Sequence, residues 1–125
     1  MRRKSGDKEK RIADAAIQVF ARDGFHGAKI TRIAKEAGVA TGSVYLYFRN
    51  KESILHHLFA QLWQELHAAF GTVAYNRNLT PRRKVEEIID RLLDQFSRDP
   101  SLALLFVNEQ NQLLRERSGR FMQYY

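Results

Sequence analysis

Between Asp7 and Asp23 the apolar residues Ile12, Ala15, Ala16, Val19 and Phe20 recur three and four positions apart, the spacing that lines one face of an α-helix. Gly24 follows, a residue that tolerates the left-handed backbone that often closes a helix, and Phe25 beyond it can fold back onto the apolar stripe. After a short loop to Lys29 come two brief segments, Ile30 to Ala37 and Thr41 to Phe48, separated by Gly38 and Val39. Helices shorter than about 12 residues are marginal in water, so both must be held by packing against the first. The pattern predicts a compact three-helix head.

Asn50 is a good N-cap for a fourth helix, with Glu52 in the first turn facing the positive end of the helix dipole. This helix should run from Lys51 to about Tyr75, with Leu55, Leu58, Phe59, Leu62, Trp63, Leu66 and Phe70 on an apolar face wide enough for neighbours on two sides. Thr80 and Pro81 open a fifth helix, whose core stripe reads Val85, Ile88, Ile89, Leu92, Leu93 and Phe96. Asp99 and Pro100 repeat the start signal for a sixth, Ser101 to about Arg115, with Leu102, Leu105, Phe106 and Leu113 at helical spacing. The polar run Asn108 to Gln112 is expected to face solvent or a partner subunit. Arg120 to Tyr125 look like the opening of a further helix with no stop signal, so the chain is expected to be incomplete at its C-terminus. No alternating, strand-like run interrupts this series. The expected fold is all-α: a helix-turn-helix head at 1–50, then a partial helical bundle at 51–125.

Composition narrows the chemistry. With 44% hydrophobic and 28% charged residues, the chain can fold and is not a disordered tract. It has no cysteine, which removes disulfides, thiolate catalysis and Cys-based zinc sites. The charged N-terminus is not followed by a signal-peptide apolar run, and no stretch approaches the roughly 20 apolar residues of a membrane span, so a cytoplasmic location away from membranes is expected. The net charge of +7 is unevenly placed: residues 1–51 hold 12 Lys and Arg against 5 Asp and Glu, while residues 52–125 hold 9 of each. A basic head on a neutral body is what phosphate neutralisation requires, although a merely solvated basic face would look the same.

The motif at the centre of the head resolves that ambiguity. A helix-turn-helix needs a small residue in its first helix, a glycine in the turn and a buried branched residue in the second helix; Ala34, Gly38 and Val44 supply these, with Ile33 and Val39 completing a small core. The second helix then fits the major groove, where every base pair presents a distinct pattern of donors, acceptors and methyl groups. With Val44 and Phe48 pointing inward, Thr41, Gly42, Ser43, Tyr45 and Tyr47 are expected to face outward as readers, and Lys51 to hold a phosphate.

The run Ile33-Ala34-Lys35-Glu36-Ala37-Gly38-Val39, followed by Gly42-Ser43-Val44-Tyr45-Leu46-Tyr47-Phe48 and Asn50-Lys51-Glu52, resembles the tetracycline-repressor (TetR) family. Ala15-Ala16, Phe20 and Gly24-Phe25 extend the likeness over about residues 8–58. The resemblance implies a homodimer in which each head reads half of a palindromic operator in double-stranded DNA, and a helical body whose small-molecule ligand releases the DNA. By position it implies base or near-base contacts from Thr41, Gly42, Ser43 and Tyr45, and phosphate contacts from Thr31, Tyr47 and Lys51. Within the family, the stretch from Ala40 to Glu52 most resembles acyl-CoA-responsive regulators of fatty-acid degradation. Two departures stand out. Members usually carry Ser or Thr near position 28 or 29 and Ser at position 40 as helix caps, where this chain has Ala28, Lys29 and Ala40, so capping would shift to Thr31 and Thr41 or fall to DNA phosphates.

Other candidates have plainer readings. Arg2, Arg3 and Lys4 form a short basic terminus, more often disordered than docked in a minor groove. His26, His56, His57 and His67 lack the i, i+4 pairing with carboxylates that a metal site requires. Trp63, Phe70, Phe96 and Phe106 are candidates to line an apolar effector pocket, with core packing as the alternative. No phosphate loop, metal set or acid-base pair supports an enzyme, and no cofactor is expected.

Overall fold

In a computed structural model, residues 5–109 are described, and every regular element among them is an α-helix. The order is α1 (Ser5–Asp23), α2 (Ile30–Ala37), α3 (Thr41–Tyr47), α4 (Lys51–Ala74) and α5 (Pro81–Arg98), followed by a sixth helix, α6, which covers 100–109 of the described residues. The expected arm at Arg2 to Lys4, the far end of the sixth helix with Leu113, most of the run Asn108 to Gln112, and the segment from Arg120 lie outside the described residues.

The helix boundaries follow local chemistry. Gly24 (φ 75°) and Gly38 (φ 68°) both adopt the left-handed conformation that closes a helix. At the start of α4, the Asn50 side chain accepts from the Ser53 N–H at 2.8 Å while the Ser53 hydroxyl oxygen accepts from the Asn50 N–H at 3.2 Å, a reciprocal capping box. Thr80 accepts from the Arg83 N–H at 3.2 Å with Pro81 in the first turn of α5. Asp99 does the same for the Leu102 N–H at 3.1 Å, starting α6.

One buried cluster joins these helices. In α1 it takes not only the expected stripe but also Ala13 and Ile17, because α1 is covered by α2 and α3 on one side and by α4 on another. Ile33, Ala34, Ala37 and Val44 enter it from the helix-turn-helix, and Ile54, Leu55, Leu58, Phe59, Leu62 and Leu66 from α4. Leu102 and Leu105 of α6 close its far end. The core therefore runs straight across the boundary at residue 50 that the sequence suggested.

The stripe on α5 departs from expectation. None of its residues is fully buried. Leu92 and Phe96 pack against the core, whereas Val85, Ile89 and Leu93 turn outward and are exposed. The six apolar positions span a wide arc, of which α4 and the Phe106 ring of α6 cover only part. At the corner between these two helices, the Lys84 ammonium donates to the Ala74 carbonyl at 2.7 Å, closing the C-terminus of α4.

Candidate nucleic-acid interface

The short α2 and α3 are placed by contacts at the turn between them. The Val39 N–H donates to the Ala34 carbonyl at 3.0 Å and the Gly38 N–H to the Lys35 carbonyl at 3.1 Å, so the left-handed Gly38 ends α2 in a Schellman motif. Arg11 of α1 adds a second closure: its Nη2 donates to the Ala37 carbonyl at 2.7 Å. A Cβ at position 38 would lie 3.1 Å from that same nitrogen, so glycine is favoured there by space as well as by φ. Ala34 and Val44, one on each side of this turn, are both buried in the common core.

The starts of the two helices are bare. The N-cap positions are Lys29 for α2 and Ala40 for α3, and neither has a side-chain cap bond. The cap role therefore does not pass to Thr31 or Thr41, which lie inside their helices.

On α3, the expected readers divide. Gly42 and Tyr45 are exposed, and Thr41 and Ser43 are half-buried at the edges of the outward face. Thr31 is exposed in the first turn of α2. Tyr47 departs from the expected outward position: it is half-buried and packs against the core cluster, because it follows Val44 by three residues and so shares its side of the helix. The residue the sequence reading passed over is Leu46. It is 83% exposed, against 55% for Tyr45. Its signal was available: two residues beyond the buried Val44 is about 200° around a helix, close to the opposite side.

Lys51 also departs from expectation. Its ammonium donates to three backbone carbonyls of the α1–α2 loop, Phe25 at 2.8 Å, His26 at 3.0 Å and Ala28 at 3.2 Å, and stands 4.9 Å from the centre of the Phe25 ring. An ammonium has three protons, and all three are engaged. Lys51 thus ties the start of α4 to the loop that sets α2, rather than projecting a free charge. The bonds span 23 to 26 positions of sequence, beyond the reach of any local pattern.

In the body, three of the four aromatic candidates come together. Phe106 lies 6.0 Å from Trp63 and 5.8 Å from Phe96 between ring centroids, with Phe59 edge-on at 5.6 Å. Phe70 is half-buried against the core and belongs to no ring pair among the described residues. Trp63, Phe96 and Phe106 thus pack ring against ring. A cleft of about 640 Å³ lies elsewhere, between α1, α4 and the α5–α6 corner, with Ala13, Ile17, Leu58, Leu62 and Leu102 in its wall. His57 lines this cleft, edge-on to Phe48 at 5.2 Å and 4.0 Å from the Glu9 carboxylate. Among the described residues, no three His, Asp or Glu side chains converge as a metal site would require, and no helix is long and apolar enough to cross a membrane.

The turn closed by Gly38, the buried Ala34 and Val44 and an outward α3 held against α1 define a helix-turn-helix protein with an α-helical body. Residues 12–58 match the family of bacterial regulatory proteins designated tetR. It is similar to the fatty acid metabolism regulator protein of Bacillus subtilis, 33% identical over 122 residues, which cover 94% of this chain and 62% of that protein. It is also similar to the nicotine-responsive transcriptional repressor HdnoR of Paenarthrobacter nicotinovorans, 31% identical over 77% of this chain and 47% of that one. Among solved structures, the transcriptional regulator FadR of Bacillus subtilis in complex with stearoyl-CoA superposes with a TM-score of 0.68 at 33% identity, over 78% of this chain and 52% of that one. The chain spans about half to three-fifths of the length of these relatives.

Proposed function

We propose that this chain is a sequence-specific DNA-binding transcriptional regulator, not an enzyme, that acts in the cytoplasm through α3 in the major groove. The observation that carries the reading is the outward face of α3, which presents Gly42, Leu46 and Tyr45 from a helix anchored on the Gly38 turn. Thr41 and Ser43 border that face with short hydroxyls suited to base edges, and Thr31 at the start of α2 is placed for the backbone. The uncapped starts of α2 and α3 leave amides that phosphates can satisfy. Lys51 is left out of this set, since its protons are already engaged.

Pairing of two copies on a palindromic operator, with repression relieved by a ligand in the body, is the fuller form of the proposal. An acyl-CoA is the effector of choice, supported by the likeness to the stearoyl-CoA-bound regulator. The nicotine-responsive relative stands at nearly the same identity, so the effector must be tested rather than carried over.

Titration of the protein against duplexes selected from a random pool, and against scrambled versions at the same salt, tests the central reading. Preference for the selected duplex by about 10³-fold or more is expected of specific recognition. Equal affinity would leave a sequence-neutral DNA-binding protein. Release of the bound duplex by stearoyl-CoA, with none by nicotine, is the outcome expected for the effector.

A further inference from the structure

We infer that Leu46 reads a thymine methyl group in the major groove and is a specificity-determining residue; this rests on the assignment of α3 to the groove. Val44, fully buried, fixes the inward direction of α3, and Leu46 stands almost diametrically opposite at 83% exposure. Single exposed leucines are ordinary on protein surfaces. This one is placed differently, at the middle of the face that would enter the groove.

The residue one turn earlier on that face is Gly42, where a Cβ would meet nothing within 4 Å. Helical side chains lean toward the N-terminus, so Leu46 extends over the bare backbone of Gly42. The result is a shallow apolar surface with Tyr45 to one side and the Ser43 hydroxyl to the other. An isobutyl group offers no donor or acceptor. Of the chemical features that base pairs display in the major groove, the thymine 5-methyl is the apolar one, and it is the partner that an isobutyl group can desolvate without leaving a polar atom unpaired. Among the described residues of α1 to α3, the neighbouring Tyr45 is the only other large apolar residue that is exposed.

The test uses a duplex enriched by the protein from a random pool, with each thymine replaced in turn by deoxyuridine, which keeps base pairing and removes only the methyl group. At one position in each half-site the substitution should weaken binding about three- to five-fold, the worth of one buried methyl. Leu46→Ala should bind the thymine and uracil duplexes equally, with an unchanged melting temperature, since the side chain supports no core. Indifference of the unaltered protein to every uracil, or a full uracil penalty retained by Leu46→Ala, overturns the inference while leaving the operator reading intact. A pool that yields no enriched sequence overturns both.

Discussion

Replacing Lys51 with glutamine removes an ammonium that holds three carbonyls and faces an aromatic ring, while preserving much of its length. Buried hydrogen bonds from a charged donor contribute about 1.5–3 kcal/mol each, but Lys51 is only half-buried and water recovers much of that. The loss should come to about 2 kcal/mol, including the contact with Phe25. For a chain of 125 residues that corresponds to a fall in melting temperature of about 8 °C. Thermal unfolding followed by circular dichroism measures this directly. The same variant carries a second readout. A lysine that neutralises a phosphate contributes about 0.9 to the slope of log affinity against log salt, whereas a lysine bonded inward contributes only through its distant field. The expected pair of results is a marked loss of stability with a slope change below about 0.3. An unchanged melting temperature together with a slope reduced by about 0.9 would refute the inward assignment and restore Lys51 to the phosphate contacts.

Further outcomes follow from the same geometry. Gly38→Ala places a Cβ at φ 68° and 3.1 Å from Arg11, and should cost about 1–2 kcal/mol in denaturant unfolding. Asn50→Ala breaks the capping box and should cost about 1 kcal/mol, most of it restored by Asn50→Asp, as measured by urea midpoints. Ala40→Ser supplies the missing cap at a residue with φ −68° and ψ 148°, and should raise stability by about 0.5–1 kcal/mol. Tyr45→Ala should weaken the selected duplex while leaving affinity for a scrambled one nearly unchanged in a competition assay, since a base contact carries sequence information and a phosphate contact does not.

What could be read from the sequence was what the chain settles locally. Asn50, Thr80 and Asp99 each bond a backbone N–H three residues ahead, so their roles follow from their immediate neighbours, and Gly24 and Gly38 end helices for reasons internal to their own backbones. The main stripes of α1 and α4 were legible from period, but the burial of Ala13, Ile17 and Ile54 was not, and Trp63, expected on the apolar face, is exposed. Burial on α5 was not legible either, because Val85, Ile89 and Leu93 have the right spacing but depend on which surfaces happen to lie beside them. The exposure of Leu46 and the half-burial of Tyr47 had a local signal, the phase set by Val44, although chemical type pointed the other way: a phenol suggests recognition and a leucine suggests core. For Lys51 there was no such signal, since its partners are fixed only once α1 and α4 have packed.

The continuity of the core has a practical consequence for protein engineering. Ile54, Leu55, Leu58 and Phe59 of α4 are as much a part of the head's interior as Ile12 or Phe20. A chimera that transplants this reading head onto another regulator's body cannot place its seam at residue 50, where the chain first looks divisible. The graft must carry α4 at least through Leu66, the last residue of that helix in the shared cluster, and the recipient must accept this helix as its own. The unit that can be moved is four helices long, and its last helix already belongs to the body it would leave behind.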